Sequence, residues 1–137
     1  MSETSPARAV VDKYYAAVDR WDLDEAFALF ADDAVVRFGD QPDLVGSSAA
    51  EATVRTMVAL AESVTHDIVR GYEAPGEDGR TTVVCEAVVT YRMLHSGNVI
   101  PHNAVTISEV ADGKIVAQRN VGNLGPVLAD HKAHAPA

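Results

Sequence analysis

GNVIPHNAVTISEVADGKIVAQRNVGNLGPVL, Gly97 to Leu128, reads as a strand, a tight turn and a second strand. Val99, Val105, Ile107, Val110, Ile115, Val116 and Val121 are strand formers, and Asp112-Gly113 within Ala111–Lys114 is a strong hairpin signal. The second strand nevertheless carries the amides Gln118, Asn120 and Asn123, where a folded strand should be mostly apolar. Buried polar groups need partners, because leaving one unpaired costs about 1–3 kcal/mol. The hairpin is therefore expected to wall a small-molecule pocket, with the rest of the chain as the cup around it.

Upstream, Thr81 to Leu94 is the longest strand, and the turn Ser96-Gly97-Asn98 joins it to the hairpin. Val64 to Glu73 alternates with a period of two and ends in the turn-rich segment Ala74-Pro75-Gly76-Glu77-Asp78-Gly79. Nearer the N-terminus the apolar period becomes helical. Ser5-Pro6 is a helix start, and helix 1 runs to about Arg20 with Val10, Tyr14, Ala17, Val18 and Trp21 on one stripe. Asp22 to Glu25 has capping-box spacing and opens helix 2, whose buried face is Leu23, Ala26, Phe27 and Phe30 and which Asp32-Asp33 ends. Ala34 to Phe38 is a short strand, and Gly39 to Gly46 a polar loop. Ser48 to Glu51 repeats the capping-box spacing before helix 3, with its stripe of Val54, Met57, Val58 and Ala61. Residues 1–5 and 129–137 are expected as loose tails of a single domain spanning 1–137. Three helices followed by hairpin-linked strands indicate an α+β cone, with the N-terminal helices packed on a curved antiparallel sheet. Pockets form readily in such mouths.

A chain of 137 residues with 47% hydrophobic and 23% charged residues fits one soluble globular domain. The net charge of −9 excludes a basic nucleic-acid face and disfavours anionic membrane surfaces. No apolar run reaches the ~20 residues of a membrane helix, and MSETSPARAV lacks a signal-peptide pattern. Cys85, alone and flanked by Val83, Val84, Ala87 and Val88, is expected as a buried thiol in a reducing cytoplasm. The five histidines do not fall at metal-ligand spacing, so neither a metal nor another cofactor is expected.

Four segments resemble the NTF2-like superfamily, within it the SnoaL-like polyketide cyclase and ketosteroid isomerase group. They are Tyr14-Tyr15-Ala16-Ala17 with Asp22 to Ala34, Val45-Gly46 before helix 3, His66-Asp67-Ile68, and Asp112-Gly113-Lys114-Ile115 with Arg119 and Leu124 to Leu128. Together they span about residues 8–128. The resemblance implies the cone fold and a cavity within it. It also implies positions for chemistry. The carboxylate base of ketosteroid isomerase-like proteins would stand at Phe38, their helix 1 tyrosine at Tyr14, and their protonated acid near Asn103. The water-activating Asp of limonene epoxide hydrolase-like members would stand at Asn120, and a further SnoaL-like Asp at Asn123. The family's acid positions are thus amides or apolar here.

Among the residues themselves, His66 shares the parity of Val64 and Ile68 and points inward, and histidine is the natural acid or base near neutral pH. His66, Tyr14, Asn103 and Asn120 form the expected catalytic set, with the latter three holding carbonyl or hydroxyl oxygens. Phe30, Phe38, Met57, Tyr91, Val105 and Gln118 are expected to line the substrate. His102 alternates with Ala104, Thr106 and Ser108, a small polar face expected at an oligomer contact. Val84, Val88, Thr90, Ala104 and Thr106 are unusually small and apolar for a solvated face, which implies a homodimer through the sheet. The function expected is cofactor-free acid/base cyclisation, isomerisation or hydration of an apolar, oxygenated, polyketide- or terpenoid-like molecule. The alternative is a non-catalytic ligand-binding or dimeric scaffold protein.

Overall fold

In the computed structural model, which describes residues 5–137, Ser5 caps α1 (Pro6–Asp19). Its side chain accepts the Arg8 amide at 3.0 Å, and Pro6 holds the first turn, where its missing N–H costs nothing. The rest of the expected N-terminal tail lies outside the described residues. Val11, Tyr14, Tyr15, Ala17 and Val18 form the buried face of α1. Trp21 does not continue it: it sits at the α1–α2 corner with φ +63 and is 42% exposed. Asp22 accepts the Glu25 amide at 3.1 Å and starts α2 (Leu23–Ala28).

The chain leaves the helix earlier than its pattern implies. Lys114 Nζ donates to the Ala28 carbonyl, and the Ile115 amide donates to the Leu29 carbonyl at 2.9 Å. These bonds draw Phe30 into β1 (Phe30–Phe38), so Asp32 and Asp33 are exposed strand residues rather than a helix end. β2 (Leu44–Val45) pairs antiparallel with β1 inside the expected loop. Gly46, at φ +100, is the N-cap of α3 (Ser47–Val58), and no side chain caps this helix. The Ser48–Glu51 box therefore does not form, and Glu51 pairs with Arg55 at 2.8 Å instead.

The remaining strands are β3 (Ala61–Pro75), β4 (Thr81–Met93), β5 (Val99–Ala111) and β6 (Lys114–Gly122). A final helix, α4 (Gly125–His134), replaces the expected loose tail, with Val127 fully buried. The sheet order is β2-β1-β6-β5-β4-β3. Every pairing is antiparallel except β1 with β6, which is parallel, so the sheet is mixed rather than antiparallel. Parallel neighbours need a long crossover, and here the crossover is most of the chain. Register shifts in β3, between β1 and β6, and near Glu109 bend the sheet into an open α+β cone, the NTF2-like fold.

Alternation on β4 defines the two faces. Val83, Cys85, Ala87, Val89, Tyr91 and Met93 are buried against the helices, and the intervening residues face outward. The β4–β5 register then places Ile100, His102, Ala104, Thr106, Ser108 and Val110 on the inner face. This reverses the expected faces of β5. Ala104 and Thr106 are not on the outer face, and His102 is not at an outer oligomer contact. Asn103 and Val105 point outward. The reason is hydrogen bonding: the inner hydroxyls of Thr106 and Ser108 have partners inside, at Tyr15 and Gln118.

Candidate active site

His66 reaches the inner wall from β3, opposite Val89 of β4. Asp19, the last residue of α1, fixes it twice. Oδ2 accepts the His66 amide at 3.0 Å, and Oδ1 lies 2.7 Å from Nδ1. With Nδ1–H donated to the carboxylate, Nε2 is the nitrogen left for chemistry. The side chains are largely covered, at 15% and 27% exposure. The imidazole lies on the Tyr15 ring, with centroids 5.0 Å apart. Tyr15 Oη is hydrogen-bonded to Thr106 Oγ1, and burial pushes its pKa strongly up.

Tyr14 is the next ring inward, 5.3 Å from Tyr15 and edge-on to Phe30 at 5.2 Å and Phe27 at 5.8 Å. Burial raises its pKa, with the Tyr91 hydroxyl adding to the effect. Burial alone pushes Tyr91 up to about 12. Both phenols are therefore neutral hydrogen-bond donors at physiological pH. On β6, Gln118 donates to Ser108 Oγ at 3.1 Å, and Asn120 Nδ2 donates to Gln118 Oε1 at 3.3 Å and to the Arg37 carbonyl at 3.4 Å. Phe38 of β1 pairs in register with Asn120.

His66, Tyr14, Phe30, Tyr91, Gln118, Asn120 and Phe38 share the interior side. Met57 is half-buried on α3. Asn103 is exposed and Val105 lies on the outer face, so neither reaches the others. Three residues absent from the expected set belong to it by position: Asp19, Tyr15 and His102. Asp19 carries no sequence signal beyond its place at the end of a helix. Tyr15 is placed by its bond to Thr106 and His102 by the β4–β5 register, neither of which the sequence shows. A surface cleft of about 360 Å³ lies elsewhere, between Glu73–Gly76 and Gly79–Thr81. Among the described residues, no three His, Cys, Asp or Glu side chains come together as a metal set, and no helix is long and apolar enough to cross a membrane.

Comparison with curated proteins finds no match. Solved structures share the fold at low identity. One is a protein of ketosteroid isomerase-like fold from Catenulispora acidiphila, crystallised with trimethylamine, with TM-score 0.74, 20% identity and coverage of 90% of this chain and 92% of that one. An LEH-like epoxide hydrolase from M. tuberculosis gives 0.71, 20% identity, and 97% and 94% coverage. A candidate polyketide cyclase from Xanthomonas campestris gives 0.67, 21% identity, and 95% and 99% coverage. The SnoaL-like domain model matches residues 11–118, most of the length, and the chain belongs to that family.

Proposed function

We propose that the chain is a cofactor-independent acid/base enzyme acting on an apolar, oxygenated, polyketide- or terpenoid-like molecule, by cyclisation, isomerisation or hydration. The observation that carries this is the Asp19–His66 pair, 2.7 Å apart, set beside an aromatic interior. His66 Nε2 takes a proton from substrate carbon or from water, and Asp19 holds the ring's orientation and counters the charge that forms. Tyr14 and Tyr91 donate to substrate oxygens, and Asn120 supplies a further polar contact. Phe30, Phe38, Met57 and Gln118 hold the body of the molecule. The base is a histidine because the first-strand place held by a carboxylate in related isomerases is Phe38. Two copies pair through the sheet's outer face, and the buried thiol of Cys85 suits the reducing cytoplasm.

Mass spectrometry of products from a panel of polyketide-like ketones and epoxides identifies turnover. On the substrate so found, His66→Gln is expected to lose about 10²–10⁴-fold in kcat, the usual worth of a positioned acid/base group. Asp19→Asn is expected to lose less. Full turnover by His66→Gln would remove His66 from the mechanism. A second reading, binding without turnover or a dimeric scaffold, is favoured by the amides and phenyl ring at the family's acid positions. It predicts ligands that raise the melting temperature while their masses stay unchanged.

A further inference from the structure

Two side chains of α1 meet the same imidazole. Tyr15 and Asp19 are four residues apart, so they stand one above the other on one face of the helix. Asp19 takes the edge of His66, accepting its amide and its Nδ1–H, and the Tyr15 ring lies against its face, 5.0 Å away and tilted by 34°. Asp19 ends α1, where the helix dipole disfavours a carboxylate, and no basic residue stands in the last turn. The neighbouring Arg20 is turned toward Glu25 at 2.7 Å. The carboxylate therefore depends on β3 for its partners, and α1 must keep one rotation on the sheet for those bonds to form.

Register shows what holds that rotation. His66, Val89 and His102 form one row across the inner face of β3, β4 and β5. Ile68, Ala87 and Ala104 form the next, and Gly71, Cys85 and Thr106 a third, beyond the β3 bulge. The middle row offers only methyls on β4 and β5, which leaves height for a ring to cross the sheet diagonally. Tyr15 makes that crossing. Its ring rests on His66 in the first row, and its hydroxyl bonds Thr106 in the third. Both residues are buried, so water does not compete for the bond. Among the described residues it is the one fully buried side-chain hydrogen bond between α1 and the sheet.

We propose that Tyr15 and Thr106 are positioning residues for His66: their bond fixes the rotation of α1 on the sheet, which sets the Asp19 carboxylate against Nδ1 and leaves Nε2 free for chemistry. This rests on His66 as the proton carrier and adds that its orientation is set from β5, two strands away from its own. Without the bond α1 turns, Asp19 draws away from Nδ1, and the ring proton is shared between the two nitrogens.

The test reads the His66 tautomer by NMR of the ¹⁵N-labelled chain at pH 9, above the ordinary histidine pKa. Wild type is expected to hold the proton on Nδ1. Tyr15→Phe keeps the ring and Thr106→Val keeps the shape, so each removes only the bond. Each is expected to lower the ratio of Nδ1–H to Nε2–H about 3–10-fold, a modest coupling for side chains in contact. The double variant is expected to fall no further than either single one, and Thr106→Ser, which keeps the hydroxyl, to return to within about twofold of wild type. A bond with a structural role alone would lower the urea midpoint and leave the tautomer unmoved. A wild-type ratio in folded Tyr15→Phe or Thr106→Val therefore overturns the proposal, and should one of them not fold, the other decides. A wild-type ring protonated on Nε2 overturns it without any variant. Full turnover by His66→Gln, with the tautomer response intact, overturns the proton-carrier reading and leaves the positioning in place.

Discussion

Tyr15 and Thr106 close a buried hydrogen bond between α1 and β5, where Thr106 is 7% exposed. Tyr15→Phe leaves that hydroxyl oxygen without its partner, and the expected loss is about 1–3 kcal/mol in urea unfolding. A loss near zero would mean that Thr106 finds another partner. His102 gives a pH signature of opposite sign to a salt-bridged histidine. Its folded-state pKa lies below the ordinary 6.5, so the unfolded chain binds the proton first. Stability is then complete above about pH 6.5 and falls as pH drops toward the folded-state pKa. Thermal melts of wild type and His102→Leu, compared between pH 5 and 7.5, are expected to show wild type losing stability relative to the variant as pH falls, because the variant lacks this acid sensitivity. His66 was legible in the sequence because it alternates with Val64 and Ile68. Its partner was not, because nothing about Asp19 marks it as different from the exposed acids nearby.

At the scale of elements, the β5–β6 turn was legible because its chemistry is local. Asp112 has φ +51 and Gly113 φ +75, the paired left-handed conformation that such two-residue hairpins require. A Cβ on Gly113 meets nothing within 4 Å, so Gly113→Ala should cost only the backbone penalty, about 1–2 kcal/mol, read by chemical denaturation. A much larger cost would point to a contact at this turn. The start of β1 was not legible, because Lys114 and Ile115 decide it from far along the chain. α4 escaped for a different reason. It has little amphipathic patterning and buries Val127 alone, while Asp130 ties it to the β4–β5 turn through Ser96 Oγ and Asn98 Nδ2, both at 2.7 Å. A helix held by side-chain clasps leaves no periodic trace.

For the whole molecule, helices roofing a cone were readable from the order of periodicities, but the face each β5 residue takes was not. Aliphatic Val105 and Ile107 look inward by composition, yet they lie outside with Val84, Val88 and the 57% exposed Val121. That face is the one proposed to meet a second copy. Light scattering coupled to size exclusion is expected to give twice the chain mass for wild type and a single chain for Val105→Glu. A wild-type monomer at tens of micromolar would end the dimer proposal. The parallel seam between β1 and β6 carries a consequence for biosynthesis. Phe38 leaves the ribosome 84 residues before Gly122, and its neighbour strand is the last to be made. At ~5–20 residues per second, the first strand waits about 4–17 s with one edge bare. Over that interval a nascent chain is open to capture by holdase chaperones or by a neighbouring polysome's product, and synonymous codons that slow translation between β1 and β6 would lengthen the exposure without altering a single side chain.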